Sequence, residues 1–271
     1  IIRALRDRTV DMMCKNDKTH QRLKTLPANE RNVLTRQIIV NDQYRFLYCA
    51  VPKVACSNWK RVIRVLNGQW EKVDMGRKMD HRKGFRFLAN YSDDEIEYRL
   101  KHYYKFMFVR NPITRLLSAY RDKFTRTKVS FIERYGKKIA KKYRPLWEVT
   151  GNSSDIKITF GEFVKYLIDT PTSLMDQHWR PMFEICQPCA VNYSFIGSIE
   201  NLHNDVQTIF KDLSVQDLVQ FPNIQTYYNV TTSSIIQEEL AKISDEDLRQ
   251  LISKYALDFA TFAYSAPKLS F

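Results

Sequence analysis

The chain has 271 residues, 44% of them hydrophobic and 13% aromatic, enough apolar material for one substantial core. Its 43 Lys and Arg against 30 Asp and Glu leave a formal charge of +13, which points to a polyanionic partner: nucleic acid, anionic membrane or acidic glycan. Five cysteines (Cys14, Cys49, Cys56, Cys186, Cys189) are too few for a disulfide scaffold, and CQPC at 186–189 lacks a second CxxC to complete a zinc site, so no metal is expected.

Residues 1–43 are mostly polar and basic and read as an N-terminal extension packed on a catalytic domain at 44–271. No apolar run approaches the roughly 18 to 20 residues of a bilayer span, and no signal peptide opens the chain. The stretch is expected to be soluble, with any anchor lying upstream.

YRFLYCAV (44–51) reads as a buried strand broken by Pro52, and SNWKRVIRVLN from Ser57 has helical apolar spacing at Trp59, Val62, Ile63 and Leu66. The arrangement recurs at KFMFV (105–109), followed by Arg110, an Asn111 N-cap, Pro112 at the first helical position and ITRLLSAYRDKF. Between them SDDEIEYRLKHY (92–103) predicts a helix with acids in its first turn, complementing the helix dipole. FGEFVKYLID (160–169) predicts a helix and VNYSFIG (191–197) a strand. Residues 200–213 and 245–264 predict further helices. The alternation predicts an α/β fold: one doubly wound domain with a central parallel sheet and flanking helices.

In open α/β sheets, ligands bind beyond the carboxyl ends of the strands, where helix N-termini offer free N–H groups to anions. VPKVACSNWK (51–60) supplies Lys53, Ser57 and Asn58 at such a point, a phosphate cradle without the glycines of a Walker loop. GxxxxGK[ST] and GxGxxG are both absent, in a chain with only seven glycines, which removes the usual signal for ATP or NAD. Arg110 at the end of the second strand and Ser118 two helical turns on can form a second anionic pocket, suiting a ligand with two separate phosphate-type groups. The plain alternatives are a solvated Lys53, an Arg110 that caps the sheet and a Ser118 packed in its helix.

VPKVACSNWKR and FVRNPITRLLSAY resemble the 5′-phosphosulfate and 3′-phosphate motifs of carbohydrate sulfotransferases that use 3′-phosphoadenosine 5′-phosphosulfate (PAPS). Within that superfamily, CQPC, YSFIGSIENL (193–202) and KYALDFATFAY (254–264) resemble the branch of HNK-1, chondroitin 4-O- and dermatan 4-O-sulfotransferases. DMGRKMDHRKGFRFLA (74–89) is most similar to the dermatan enzymes. The resemblance implies that Lys53, Val54, Ser57, Asn58 and Trp59 hold the 5′-phosphosulfate, that Arg110 and Ser118 hold the 3′-phosphate, and that adenosine 3′,5′-bisphosphate is the product. It also implies a type II membrane protein of the Golgi lumen, acting on the 4-hydroxyl of N-acetylgalactosamine in dermatan sulfate.

Lys53 can meet charge developing on the bridging oxygen. A base must take the sugar proton, and His81, in KMDHRK beside Asp80, is the first choice, with His178 in DQHWRP the runner-up. His20, His102 and His203 sit in polar or helical contexts. RDKFTRTKVSFIERYGKKIAKKYR (121–144) holds ten Lys/Arg against Asp122 and Glu133 and reads as an anion-binding face. Asp80, Arg82, Lys83, Arg121, Lys123, His178 and Arg180 are candidates for the acidic polysaccharide acceptor, the arginines pairing bidentately with uronate or sulfate. A nucleic-acid-binding module would use the same charge, but it leaves the paired strand–loop–helix turns unexplained and shows none of its usual motifs.

Four N-x-S/T sequons, at Asn90, Asn152, Asn192 and Asn229, favour a secretory compartment, with Asn192 expected to be buried in its strand. In an oxidising lumen CQPC favours disulfide pairing, with Cys14 and Cys49 as candidate partners. Four cysteines allow three connectivities and the spacing does not choose. Cys56 is read as a small packing group.

Overall fold

The computed structural model describes residues 2–16, 22–125, 129–144, 156–222 and 233–267. In chain order the elements are α1 (Ile2–Asn16), α2 (Ala28–Gln37), β1 (Ile38–Asn41), β2 (Phe46–Cys49), α3 (Cys56–Leu66), β3 (Arg86–Phe87), α4 (Asp93–His102), β4 (Tyr104–Val109) and α5 (Pro112–Tyr120). There follow α6 (Val129–Phe131), α7 (Lys137–Tyr143), α8 (Phe160–Asp169), α9 (Met182–Cys186), α10 (Pro188–Val191), β5 (Phe195–Ser198), α11 (Leu202–Asp212), α12 (Ser233–Leu240), α13 (Asp245–Lys254) and α14 (Ala256–Thr261).

The chain forms two compact units, one of Ile1–Arg110, Met182–Tyr227 and Ala260–Ala263, the other of Asn111–Pro181, Tyr228–Phe259 and Tyr264–Phe271. The first holds a five-stranded sheet in the order β3-β1-β2-β4-β5. β2, β4 and β5 run parallel. The sheet is nevertheless mixed, because β1 pairs antiparallel with both β2 and β3. Beside the expected parallel strands, residues 38–49 form a hairpin, and Ile38–Asn41, counted by sequence with the extension, is a strand of the sheet. Asn41 shapes the turn, its side-chain oxygen accepting from the Tyr44 N–H at 2.7 Å.

β2 and β4 are buried along nearly their whole length, which is why both read as continuous apolar runs rather than alternating ones. Trp59, on the inner face of α3, sits among Tyr48, Phe106, Phe108 and Phe210. Gly197 of β5 lies opposite Phe108, and a Cβ there would come within 2.5 Å of the Phe108 ring, so only glycine fits. On α1, the buried Arg6 donates to the carbonyls of Ile196 and Phe262, both at 3.2 Å. Disulfides join Cys14 to Cys189 and Cys49 to Cys186, settling the pairing the spacing left open. They tie α1 to α10 and β2 to α9, across sequence separations of 175 and 137.

The second unit packs an aromatic core of Tyr120, Phe124, Phe160, Phe163 and Trp179 with Leu251 and Tyr255. Thr159 and Glu162 form a capping box at the start of α8. At its other end Lys254 donates to the carbonyls of Ile168 and Thr170, at 2.6 and 2.7 Å. The predicted 245–264 helix is broken at Tyr255 into α13 and α14.

Candidate active site

In the first unit the loop from β2 to α3 reverses with two left-handed residues, Lys53 at φ 69° and Ala55 at φ 54°. Left-handed positions curl successive N–H groups into a concavity suited to anions. Ala55 offers no side-chain cap and the first turn of α3 holds no acid. By contrast α4 is capped by Ser92 and opens with Asp93, Asp94 and Glu95. The start of α3 therefore keeps the positive end of its dipole uncompensated, with Ser57 and Asn58 half-exposed beside it. Arg110, at the end of β4, donates Nη1 to the Lys53 carbonyl at 3.3 Å, which joins the two sequence motifs. Val54 and Trp59 are buried, at 0% and 1% exposure. They support the loop from beneath, so the Trp59 side chain belongs to the core.

Residues 74–84 are held over α3 by three of its cations. Lys60 donates to the His81 carbonyl at 3.0 Å, Arg61 to the carbonyls of Asp74 and Arg77 at 3.0 and 3.3 Å, and Arg64 to that of Lys83. Burial lowers the Lys60 pKa from its ordinary value. His81 itself is exposed, as are Arg82 and Lys83. The Asp80 carboxylate accepts the N–H groups of Arg82 and Lys83, both at 2.9 Å. Those bonds hold its pKa below the usual carboxylate range and shape the turn that carries His81.

In the second unit Asn111 caps α5, accepting from the N–H groups of Ile113 and Thr114 at 3.1 and 3.3 Å. Thr114 and Ser118 are the partly exposed positions of a helix whose other residues are buried. They lie four apart and share a face, which Arg121 extends. Lys123 is buried and paired with Asp122 at 3.2 Å, with Nζ 4.5 Å over the Phe131 ring. Arg180 donates to the carbonyls of Thr172 and Ser173. His178 places Nδ1 2.6 Å from Asp176 Oδ1.

A profile of the Sulfotransferase family matches residues 36–265. Carbohydrate sulfotransferase 14 of Danio rerio is 42% identical over 267 residues, 98% of this chain and 72% of that protein. Its Homo sapiens counterpart is 42% identical over 266 residues, 98% and 70%. Carbohydrate sulfotransferase 11 of Rattus norvegicus is 36% identical over 274 residues, 97% and 75%. The chain belongs to the carbohydrate sulfotransferase family. No solved structure matches it.

In this sulfotransferase the described residues contain no cluster of metal-ligating side chains and no helix long and apolar enough to cross a membrane. A cavity of about 600 Å³ is lined by Val65, Glu71–Val73 and Gln216–Gln220. It holds none of the candidate residues. Cys56 is outside both disulfides. Asn192 is exposed at φ 54°, which corrects its expected burial: the strand begins only at Phe195. Asn90 is exposed too, while Asn152, Asn229 and His20 lie outside the described residues.

Sequence reasoning singled out none of Lys60, Arg61, Arg64, Arg115 and Asp176. Asp176 carried a usable signal, since an Asp two residues before a His is the spacing of a side-chain-to-backbone turn. The His178 N–H does donate to Asp176 Oδ1 at 2.9 Å.

Proposed function

We propose that the chain transfers the sulfuryl group of PAPS to the 4-hydroxyl of N-acetylgalactosamine in dermatan-type chains, releasing adenosine 3′,5′-bisphosphate. The donor loop carries this reading: two left-handed residues, an uncapped α3 N-terminus without acids, and Arg110 bonded to the Lys53 carbonyl. In this reading the α3 N–H groups, Lys53, Ser57 and Asn58 hold the 5′-phosphosulfate and Arg110 and Ser118 the 3′-phosphate. Sulfuryl transfer asks for in-line placement and charge stabilisation more than covalent work. Lys53 meets the charge on the leaving oxygen as the sulfur–oxygen bond breaks.

His81 is the proton acceptor implied by the family motif, and Arg82, Lys83 and Arg121 hold the acceptor's uronates. Lys123 and Arg180 are already engaged within their own unit. The two disulfides fit an oxidising lumen, in keeping with a Golgi enzyme anchored through a further segment.

Two assays test the reading. Adenosine 3′,5′-bisphosphate stabilises the protein against heat while ATP and an oligonucleotide do not, and Lys53→Ala abolishes transfer. Near-normal transfer by Lys53→Ala overturns the donor site. Competing desulfated dermatan against unsulfated chondroitin and a glucuronate-capped lactosamine, with disaccharide analysis, tests the acceptor: equal transfer to chondroitin overturns the dermatan assignment, and sulfation of terminal glucuronate moves the enzyme to the HNK-1 type.

A further inference from the structure

The donor loop and the segment that carries His81 lie in the same compact unit, and one helix mounts both. α3 begins at Cys56, where the loop ends, and its cations hold residues 74–84, a stretch without helix or strand. Carbonyls in such a stretch must find side chains or water, so the donors that reach them set where the stretch lies.

Those donors divide the stretch between them. Arg61 holds its near end, the carbonyls of Asp74 and Arg77 at 3.0 and 3.3 Å, and also the Ser57 carbonyl in its own first turn at 3.3 Å. Arg64 holds the far end at the Lys83 carbonyl, its guanidinium 4.5 Å from the centre of the Phe85 ring. A Cβ on Gly84 would come within 2.3 Å of Arg64 Nη1, which shows how closely the chain is drawn down there. Between the two, Lys60 reaches His81 itself, Nζ donating to its carbonyl at 3.0 Å. Asp80 Oδ1 accepts the N–H groups of Arg82 and Lys83, both at 2.9 Å, so residues 80–83 form one turn that a single tether can place.

Lys60 is 7% exposed, an uncommon setting for a lysine. Burial lowers its pKa; Cys56, Arg82 and Asp80 also act on its charge, which sets it near the start of α3 and near both neighbours of His81. Lys60 follows Cys56 by four residues, on the same face of the helix and about 6 Å along its axis. The His81 main chain is thus tethered one helical turn from the point where the donor loop becomes helix.

We infer that Lys60 is a positioning residue of sulfuryl transfer: by holding the His81 carbonyl it sets His81, Arg82 and Lys83 at a fixed place relative to the donor loop. The inference rests on the reading above, in which His81 takes the acceptor proton and the loop holds the phosphosulfate. Transfer asks that the acceptor oxygen, the sulfur and the leaving oxygen come into line. Donor and acceptor groups stand on separate stretches of chain, so the reaction needs a part that fixes one against the other. Lys60 acts through His81 and forms no bond to the substrate in this role.

The test compares the wild type with Lys60→Met, His81→Asn and the double variant, using PAPS and desulfated dermatan. Methionine fills the buried space without a donor. Lys60→Met is expected to lower kcat about 10-fold to 100-fold, the scale of a misplacement of about 1 Å. KM for PAPS and the stabilisation by adenosine 3′,5′-bisphosphate are expected to stay at the wild-type level. In the His81→Asn background the same substitution is expected to change kcat by less than about twofold, because a residue that acts through His81 has nothing left to place. Should Lys60→Met melt too early to assay, Lys60→Gln, shorter and still polar, carries the same cycle.

Unchanged kcat in the Lys60 variant overturns the inference, and so does a loss of equal size with and without His81. A loss that takes the adenosine 3′,5′-bisphosphate stabilisation with it also overturns it, since Lys60 would then be shaping the donor loop. The underlying readings fail by different results: near-wild-type turnover in His81→Asn removes the proton acceptor, and an active Lys53→Ala removes the donor site.

Discussion

Arg115→Met probes how the protein holds its histidine loop. Arg115 is 1% exposed and donates at 2.8 and 3.0 Å to the carbonyls of Arg180 and Gln177. Methionine fills much of the same volume but leaves both carbonyls without these donors. At about 1.5 to 3 kcal/mol for each hydrogen bond from a charged donor, the loss is about 3 to 6 kcal/mol. A chain of this size shifts its melting temperature by roughly 2 to 4 °C per kcal/mol, so the variant should melt roughly 6 to 24 °C lower. Thermal unfolding followed by circular dichroism reads the stability. A variant that melts within about 2 °C of the wild type would mean less than about 1 kcal/mol was at stake and would refute the reasoning.

Gly197→Ala puts a methyl group against the Phe108 ring, which is itself 1% exposed. Overpacking of this kind costs about 1 to 3 kcal/mol, measurable as a lowered urea midpoint with an unchanged slope. Replacing both Cys49 and Cys186 by Ser opens a loop of 137 residues. Chain entropy sets the loss at about 5 kcal/mol, to be checked by equilibrium unfolding without reductant. Asp176 has a lowered folded pKa, so its stabilisation is complete above the unfolded pKa, near the ordinary carboxyl value of 3.8, and is lost as pH falls through the folded value. Asp176→Asn should therefore unfold more easily than the wild type near neutrality, the gap closing as the medium is acidified below that point. A gap independent of pH would show that the carboxylate's charge is not what stabilises the loop.

The strand–loop–helix turns were legible because each rests on local rules. An apolar run fixed β2 and β4, Asn111 and Pro112 fixed the start of α5, and Ser92 with Glu95 fixed that of α4. Two features were not local. The antiparallel hairpin at 38–49 turns on Asn41 and the left-handed Arg45, neither of which stands out in a polar stretch. The support for the 74–84 segment and for the 176–180 loop comes from cations on helices distant in sequence. Their partners are backbone carbonyls, which leave no mark in a side-chain pattern. His178 could be named from sequence, and the spacing of Asp176 before it carried a signal, but the buried clamp formed by Arg115 and Tyr255 left none.

The same point changes what the net charge of +13 means. Arg6, Lys60, Arg61, Arg64, Arg115, Arg180 and Lys254 all donate to backbone carbonyls, so part of the excess is structural and does not face a polyanion. Within 121–144, Lys123, Lys142 and Arg144 pair with Asp122, Asp169 and Glu162. Arg134, Lys138 and Lys141 are exposed; at spacings of four and three they fall along one side of the helical run into α7. Exchanging these three for Gln should raise KM for desulfated dermatan and flatten its dependence on salt, leaving kcat and melting temperature near wild type. Exchanging Arg61 and Arg64 for Gln should do the reverse: lower the melting temperature, free the 74–84 segment and leave the salt dependence of KM unchanged. If both triple and double variants change the salt response equally, the division between structural and acceptor-facing cations is wrong.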